Sequence, residues 1–352
     1  MRAFIINPGA TSTKIALWDE EKELWSAKVI HKPEDLAKFH TVADQLLYRM
    51  FLMEHELEKA GLMPLEADCI VGRGGLLKRL KSGTYRVGEQ VLEELLEAKY
   101  GEHASNLGIM MADQLSKECG NIPAFFTNPV SVDEMDDVAR VTGFKGMERK
   151  SLFHALNQKA AAAKYAEKMG KPYEECTLIV AHLGGGVSVA AHRDGRVIDV
   201  YNVKDEGAFG LDRCGSLPVT DLIDLCYAHK HEKRRVKKAI GTEGGVMSYL
   251  GTNDLIEIEK RIENGDSEAA LIFEAMAYQL AKDMGAMHSV LSGKTEAVVL
   301  TGGMANSKKL VERIAHYAGY IAPFVLFPGE FEMEAMAKNA LRALKNGTAM
   351  DY

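Results

Sequence analysis

Apolar runs at residues 3–7, 15–18 and 24–30 alternate with polar or glycine-bearing stretches, the polar run Asp19-Glu20-Glu21-Lys22 separating the last two. The pattern predicts strand, loop, strand, turn, strand. It returns in the second half as residues 178–182, a glycine loop, 187–191, the turn Arg193-Asp194-Gly195, and 197–201. The halves share no convincing residue identity, so it is the recurring order of elements that predicts two similar α/β domains. Between these units the pattern changes. Phe39, Val42, Ala43, Leu46, Leu47, Met50 and Met53 recur every three to four residues and predict one long helix over 36–60, stopped by Gly61 as its C′ residue. Residues 87–98 and 108–118 also read as helices, and 67–71, 124–127 and 297–300 as short strands. Ala270, Phe273, Ala277, Leu280, Met284, Met287 and Leu291 trace one face of a helix over 267–291, and a closing helix is expected over 335–344. Ser131-Val132-Asp133-Glu134 has capping-box spacing and predicts a helix start.

Length and composition narrow the class. At 352 residues the chain is long enough for two domains with their own cores, and 47% hydrophobic with 26% charged residues argues against disorder. A net charge of −7 gives no long-range field for nucleic acid or anionic lipid, so neither partner is expected, and an anionic substrate must be met by local arginines. Five cysteines at irregular spacing, with no Cys-x-x-Cys pair, fit reduced thiols and a cytoplasmic location. The apolar run at the N-terminus is too short for a secretion signal, and no apolar stretch is long enough to span a bilayer. The Met-rich stretch from Met276 to Met287 is either core or a contact between copies, and a homo-oligomer is expected.

Three glycine-bearing loops follow strand-like runs: Asn7-Pro8-Gly9-Ala10-Thr11-Ser12-Thr13-Lys14, His182-Leu183-Gly184-Gly185-Gly186, and Thr301-Gly302-Gly303-Met304-Ala305-Asn306. Glycine lets main-chain N–H groups approach a polyanion closely. The first loop lacks P-loop spacing and is followed by a strand, so it is not a Walker motif. Each loop alone reads equally well as a tight turn; their order and framing favour a phosphate cradle and phosphoryl transfer, with the ligand in a cleft between domains. His229 and His231 flank Lys230 near Arg234 and Arg235, and a solvated basic helix face explains them without metal.

Six motifs then carry a resemblance. They are the opening Asn-Pro-Gly-x-Thr-Ser-Thr-Lys, Gly-Arg-Gly-Gly at 72–75, Gly-Glu-His-Ala-Ser-Asn-Leu-Gly at 101–108, Phe-His-Ala-Leu-Asn-Gln-Lys at 153–159, His-Leu-Gly-Gly-Gly at 182–186 and Leu-Thr-Gly-Gly at 300–303. In this order, from about Asn7 to Arg342, they resemble the butyrate kinases. That group belongs to the acetokinase family, in the superfamily that also holds actin, sugar kinases and heat-shock chaperones. The resemblance implies two duplicated ribonuclease H-like (actin-like ATPase) domains with an interdomain cleft. Their expected spans are 1–145 and 146–334, with the segment 335–352 packing back on the first. It also implies ATP plus butyrate, or a branched short-chain acid, giving an acyl phosphate and ADP, reversibly and in line. Acetate or propionate remains an alternative substrate. A nucleotide-dependent interaction module of actin or chaperone type is a second class; it would share the loops without requiring Arg73, His154 and Arg213 together.

The resemblance further implies roles. Arg73 and Arg213 clamp the carboxylate and the migrating phosphoryl group, because a guanidinium holds two oxygens at once. His154 hydrogen-bonds equatorial oxygens, His182 lies by the β- or γ-phosphate, and His103 belongs to the substrate side. Thr11, Ser12, Lys14, Gly184, Gly185, Gly186, Gly302, Gly303 and Asn306 bind nucleotide. Asn7 is both a catalytic residue and, with Glu332, part of the Mg²⁺ site; Glu334 is the alternative in register. Where the family carries Asp before Pro-Val-x-Val-Asp-Glu, this chain has Asn128. Asn128 is therefore expected to orient phosphoryl oxygens or metal-bound water, with Glu332 carrying more of the metal. Closure of the two lobes is expected to exclude water from the reactive anhydride.

Overall fold

A computed structural model describes residues 1–63 and 65–352. The chain forms two units, Met1–Asp133 with Phe331–Tyr352, and Glu134–Glu330. The divisions fall at 133/134 and 330/331, ahead of the 145/146 and 334/335 positions assigned from sequence.

The first unit is built on β1 (Ala3–Pro8), β2 (Ser12–Trp18), β3 (Glu23–Ile30), β4 (Cys69–Arg73), β5 (Thr84–Arg86) and β6 (Ala124–Thr127), in the order β3-β2-β1-β4-β6-β5. β1 to β3 form the antiparallel meander; β4 and β6 run parallel to β1. Successive side chains on a strand point to opposite faces, so Phe4, Ile6 and Ile70 join Ile109, Met111, Met50 and Met53 in one core. The helix Leu107–Glu118 packs on β1, β4 and β6, and so does the helix Glu332–Asn346.

The second unit repeats the plan with β7 (Leu178–Leu183), β8 (Val187–Arg193), β9 (Arg196–Val200), β10 (Ala297–Gly302) and β11 (Phe324–Pro328), in the order β11-β10-β7-β8-β9. A meander is again extended by strands parallel to its first member. Ile179, Ala181, Val298 and Leu300 face the helix Ser267–Val290, while Leu178, Val180, Ala297 and Val299 face the helix Ala155–Met169.

Two expectations need correction. The helix predicted over 36–60 begins at Leu46, after a separate turn Pro33–Leu36. Its buried face carries Arg49, Met50, Met53 and Leu57, whereas Leu47 is 74% exposed. No helix starts at Ser131. Its Oγ accepts the Leu77 N–H at 2.7 Å, Val132 bridges to Leu80, and Glu134 pairs with Lys159 at 2.7 Å, so all three serve tertiary contacts in place of a cap. Met276, Met284 and Met287 lie in the core of the second unit, which settles the choice left open for that stretch. All five cysteines are free thiols. Among the described residues no helix is long and apolar enough to cross a membrane.

Candidate active site

Three parallel strands of the first unit end side by side, and each delivers a candidate. Asn7 is the next-to-last residue of β1, Arg73 ends β4, and Asn128 follows β6, where Arg73 is in register with Thr127. The carboxyl edge of such strands is the usual ligand edge of an open α/β sheet. Asn7 Nδ2 donates to Glu332 Oε2 at 3.0 Å, Arg73 Nη1 donates to Asn7 Oδ1 at 3.2 Å, and Arg73 forms an ion pair with Glu332. Glu332 is buried in the first turn of its helix, where the helix dipole favours an acid. Glu334 instead pairs with Lys338 at 2.7 Å, one turn further on. Of the two register choices, only Glu332 joins Asn7 and Arg73.

The glycines around Arg73 have a packing reason. A Cβ on Gly72 would lie 2.0 Å from the Gly108 carbonyl, one on Gly108 would lie 2.5 Å from the Arg73 carbonyl, and one on Gly75 would strike Asn106 Oδ1 at 2.1 Å. Asn106 completes the match by accepting the Leu76 N–H at 2.9 Å and donating to the Gly101 carbonyl at 2.9 Å. The motifs at 72–75 and 101–108 are thus two halves of one helix-to-strand contact that sets the height of Arg73. His103 lies on the exposed loop before that helix, and its Nδ1 caps the turn through Ser105. Asn128 has φ +40, a left-handed geometry that asparagine tolerates. Its Oδ1 accepts from Ser82 Oγ and the Gly83 N–H, both at 2.8 Å, so its carbonyl is committed to a loop and only the amide NH₂ faces away from that contact. Thr11 and Ser12 lie at the exposed tip between β1 and β2, and Lys14 is exposed on β2.

In the second unit His182 and Thr301 are register partners on β7 and β10. Thr301 Oγ1 donates to the Gly329 carbonyl at 3.3 Å and so accepts from Asn157 Nδ2 at 3.1 Å. That orientation makes the Asn157 amide a donor to His182 Nδ1 at 2.8 Å, which leaves the proton of the neutral ring on Nε2. Nε2 faces the glycine loop; a Cβ on Gly184 would sit 3.1 Å from it. His154, at the N-terminus of the helix Ala155–Met169, stacks on His182 with ring centroids 3.8 Å apart.

A buried chain of hydrogen bonds sets the state of His154. Gln158 Nε2 donates to the Ser188 carbonyl at 3.0 Å, which orients the amide, and to Ser188 Oγ at 2.8 Å. Gln158 Oε1 then accepts from His192 Nε2 at 3.1 Å, and His192 Nδ1 accepts from the Tyr173 hydroxyl at 2.7 Å. Burial holds His192 neutral and pushes the Tyr173 hydroxyl well up, so the directions are self-consistent. Ser188 Oγ, accepting from Gln158, donates its hydrogen bond to His154 Nδ1 at 2.9 Å, which puts the His154 ring proton on Nε2. Long-range ¹H–¹⁵N correlation spectra at neutral pH are expected to show His154, His182 and His192 all as Nε2–H tautomers; an Nδ1–H signal from His154 would break the chain.

Arg213 lies against the second glycine loop. A Cβ on Gly186 would come within 2.9 Å of its Nη1, and one on Gly185 within 2.9 Å of Asp212 Oδ2. Arg213 and Asp212 stand 3.9 Å apart, and burial pushes the Asp212 carboxyl up. The Arg213 loop is held from behind by the helix Ser267–Val290, whose Asp283 accepts the Ala208 N–H at 2.6 Å. Burial raises Asp283 to about 7. Because the folded state holds this proton more tightly than the unfolded chain, its contribution to stability is full below the unfolded value of 3.8 and is lost as pH rises to about 7. Asp283→Asn is expected to flatten the melting temperature between pH 5 and 8; an unchanged profile would remove Asp283 as the cause. Gly302 closes on the Leu183 backbone, Gly303 is open, and Asn306 Nδ2 donates back to the Gly303 carbonyl at 3.0 Å.

The sequence reading missed Asn157, Gln158, Ser188, His192 and Tyr173. The signal was available: Asn157-Gln158-Lys159 is a polar run in an Ala-rich helix, and all three are buried. Among the described residues no group of three or more His, Cys, Asp or Glu could hold a metal. His229 and His231 form no such site.

The model of the acetokinase family matches residues 143–320. Butyrate kinase 1 of Clostridium acetobutylicum is 44% identical over 345 residues, covering 98% of this chain and 97% of that protein. The acetate kinase of Porphyromonas gingivalis superposes with a TM-score of 0.78 at 18% identity, covering 98% and 99% of the two chains. A propionate kinase from Francisella tularensis gives 0.79 at 16% identity, covering 96% and 98%. The structural likenesses establish the fold, the actin-like ATPase plan of two domains. With its sequence matched almost end to end by a curated relative, the chain belongs to the acetokinase family.

Proposed function

We propose that this protein is a carboxylate kinase that transfers the γ-phosphoryl group of ATP to butyrate or a branched short-chain acid, reversibly. The observation that carries the reading is Arg73, a guanidinium presented at the carboxyl edge of the first sheet and held there by Asn7 and Glu332. A structural ion pair needs no such placement, whereas an acceptor carboxylate needs a fork of this kind. The relative named for butyrate supports the substrate class.

In the reaction a carboxylate oxygen forms a bond to the γ-phosphorus while the bond to the ADP oxygen breaks, and no proton changes hands. The protein's task is positioning and charge neutralisation. Arg73 and Arg213 hold the acid and the migrating group. His154 and His182 offer Nε2–H donors to phosphoryl oxygens. The N–H groups of the glycine loops, with Thr11, Ser12, Lys14 and Asn306, receive the nucleotide phosphates, and Asn128 offers its amide NH₂. Glu332 and the Asn7 carbonyl are hard oxygen donors of the kind Mg²⁺ accepts when most of its ligands are phosphates and water, and the ion would supply further charge neutralisation there. For Glu332 to serve it, Arg73 has to release the carboxylate. The free thiols support a reducing, cytoplasmic setting.

Gln158→Leu is expected to lower kcat about tenfold or more, with the nucleotide KM little changed, because the Ser188 hydroxyl on His154 Nδ1 loses the amide that orients it. The reading as a whole is tested by trapping acyl phosphate as a hydroxamate from C2 to C5 acids at fixed Mg-ATP. Butyrate and branched acids are expected to give the highest kcat/KM. One methylene is worth about 1–3 kcal/mol in an apolar pocket, so the panel separates them from acetate. Thermal stabilisation by Mg-ATP with no hydroxamate from any acid would point to a nucleotide-dependent interaction module instead.

A further inference from the structure

Arg49 is the bulkiest fully buried side chain of the protein, 1% exposed on the helix Leu46–Lys59. All its donors are used. Nε and Nη2 reach Gln45 Oε1 at 3.1 and 2.9 Å, Nη1 reaches the Gly9 carbonyl at 2.8 Å and Thr13 Oγ1 at 3.3 Å, and Nη2 reaches the Ala10 carbonyl at 3.2 Å. Every acceptor is neutral, and no carboxylate lowers the cost of the buried charge. Burial draws the guanidinium down to about 10, so it stays a cation at neutral pH. Its neighbour His31 is held neutral, pushed down to about 4 by burial and by Arg49, with Nε2 at 2.8 Å from Thr13 Oγ1. A buried cation without a counter-charge is expensive, and proteins retain one where it serves a purpose.

The purpose lies in the loop above it. The Gly9 and Ala10 carbonyls point down to Arg49, and the Thr11 carbonyl accepts the His31 N–H at 2.9 Å. Across a trans peptide the C=O and N–H are antiparallel, so the N–H groups of Ala10, Thr11 and Ser12 point the other way. Those of Ala10 and Thr11 have no acceptor among the described residues. Successive N–H groups turned outward form an anion-binding concavity.

We propose that Arg49 is a positioning residue for the nucleotide phosphates: it pulls the Gly9 and Ala10 carbonyls of the tip inward so that the Ala10 and Thr11 amides face the anion, and its own uncompensated charge is balanced when phosphate docks. It touches no substrate, and the inference rests on the kinase reading above. The test compares wild type with Arg49→Met and Arg49→Lys, measuring the ADP dissociation constant, the carboxylate KM and the melting temperature without ligand. Arg49→Met is expected to weaken ADP about tenfold or more, a change of about 1.4 kcal/mol, with the carboxylate KM unchanged. Arg49→Lys, which keeps the charge but cannot span both carbonyls, is expected to fall between. A folded Arg49→Met that binds ADP as wild type does, with only a lower melting temperature, overturns the proposal. Should that variant not fold, amide spectra of ¹⁵N-labelled wild type titrated with ADP decide: the Ala10 and Thr11 signals are expected to shift, and their standing still would overturn it. Wild type that binds no ADP at all would sink the kinase reading first.

Discussion

Arg73→Ala is expected to lower kcat/KM for the carboxylate by about 10³-fold or more, the scale on which a guanidinium at a transferring phosphoryl group acts. The loss has two sources. The acid and the migrating group lose a fork of donors that a lysine cannot reproduce, so Arg73→Lys is expected to recover only part of the activity. Glu332, buried and left with the Asn7 amide as its remaining partner in the cluster, also carries a charge that Arg73 had balanced. Breaking one side of a buried ion pair costs about 3–5 kcal/mol, although the partial exposure of Arg73 reduces that figure here. Adding Glu332→Gln to Arg73→Ala is expected to restore melting temperature without restoring turnover. Steady-state kinetics with a thermal melt separates the two losses, and near-normal kinetics in Arg73→Ala would take the residue out of the site.

The adjacent glycines of the third loop are expected to respond in opposite ways. Gly302 has φ +90, and a Cβ there would lie 2.3 Å from the Leu183 carbonyl oxygen. Neither partner can give, because Leu183 and Gly302 end neighbouring strands of one sheet that are hydrogen-bonded to each other. Gly302→Ala is expected to cost about 3 kcal/mol or more and to leave little folded protein. Nothing lies within 4 Å of a Cβ built on Gly303. Gly303→Ala is expected to melt with wild type and yet raise the ATP KM, because the open space is where phosphate would stand. If Gly303→Ala binds ATP normally, the third loop is not a nucleotide contact.

The strands and their loops could be read from the chain because short apolar runs bounded by turn residues mark buried strands, and β1, β6 and β7 start where such runs begin. Family motifs then marked Arg73, His154 and His182. What escaped is polar and buried. Arg49 stands four residues before Met53 on the buried side of its helix, but its charge hides it from a pattern built on apolar residues, and Leu47, which that pattern counts as inside, is in solvent. His192 is silent for the same reason, and the roles of Gln158 stay hidden: pattern rules treat a polar residue as wet until its partners are known, and those partners are 19 to 34 residues away in the chain. Ser131 shows the reverse error. Its spacing fits a helix cap, but a hydroxyl that caps nothing local can bind the Leu77 N–H, 54 residues off. Short-range rules see the chain's immediate neighbours and not the competitors that folding brings in.

The first sheet is completed by a helix that follows the whole of Glu134–Glu330 in the polypeptide. A ribosome therefore finishes the interior of the second unit before it has made the residues that cover the first, Glu332 included. A nascent chain halted between positions 73 and 332 carries Asn7 and Arg73 but no acid to join them, so that cluster forms only after the second unit's residues have been made.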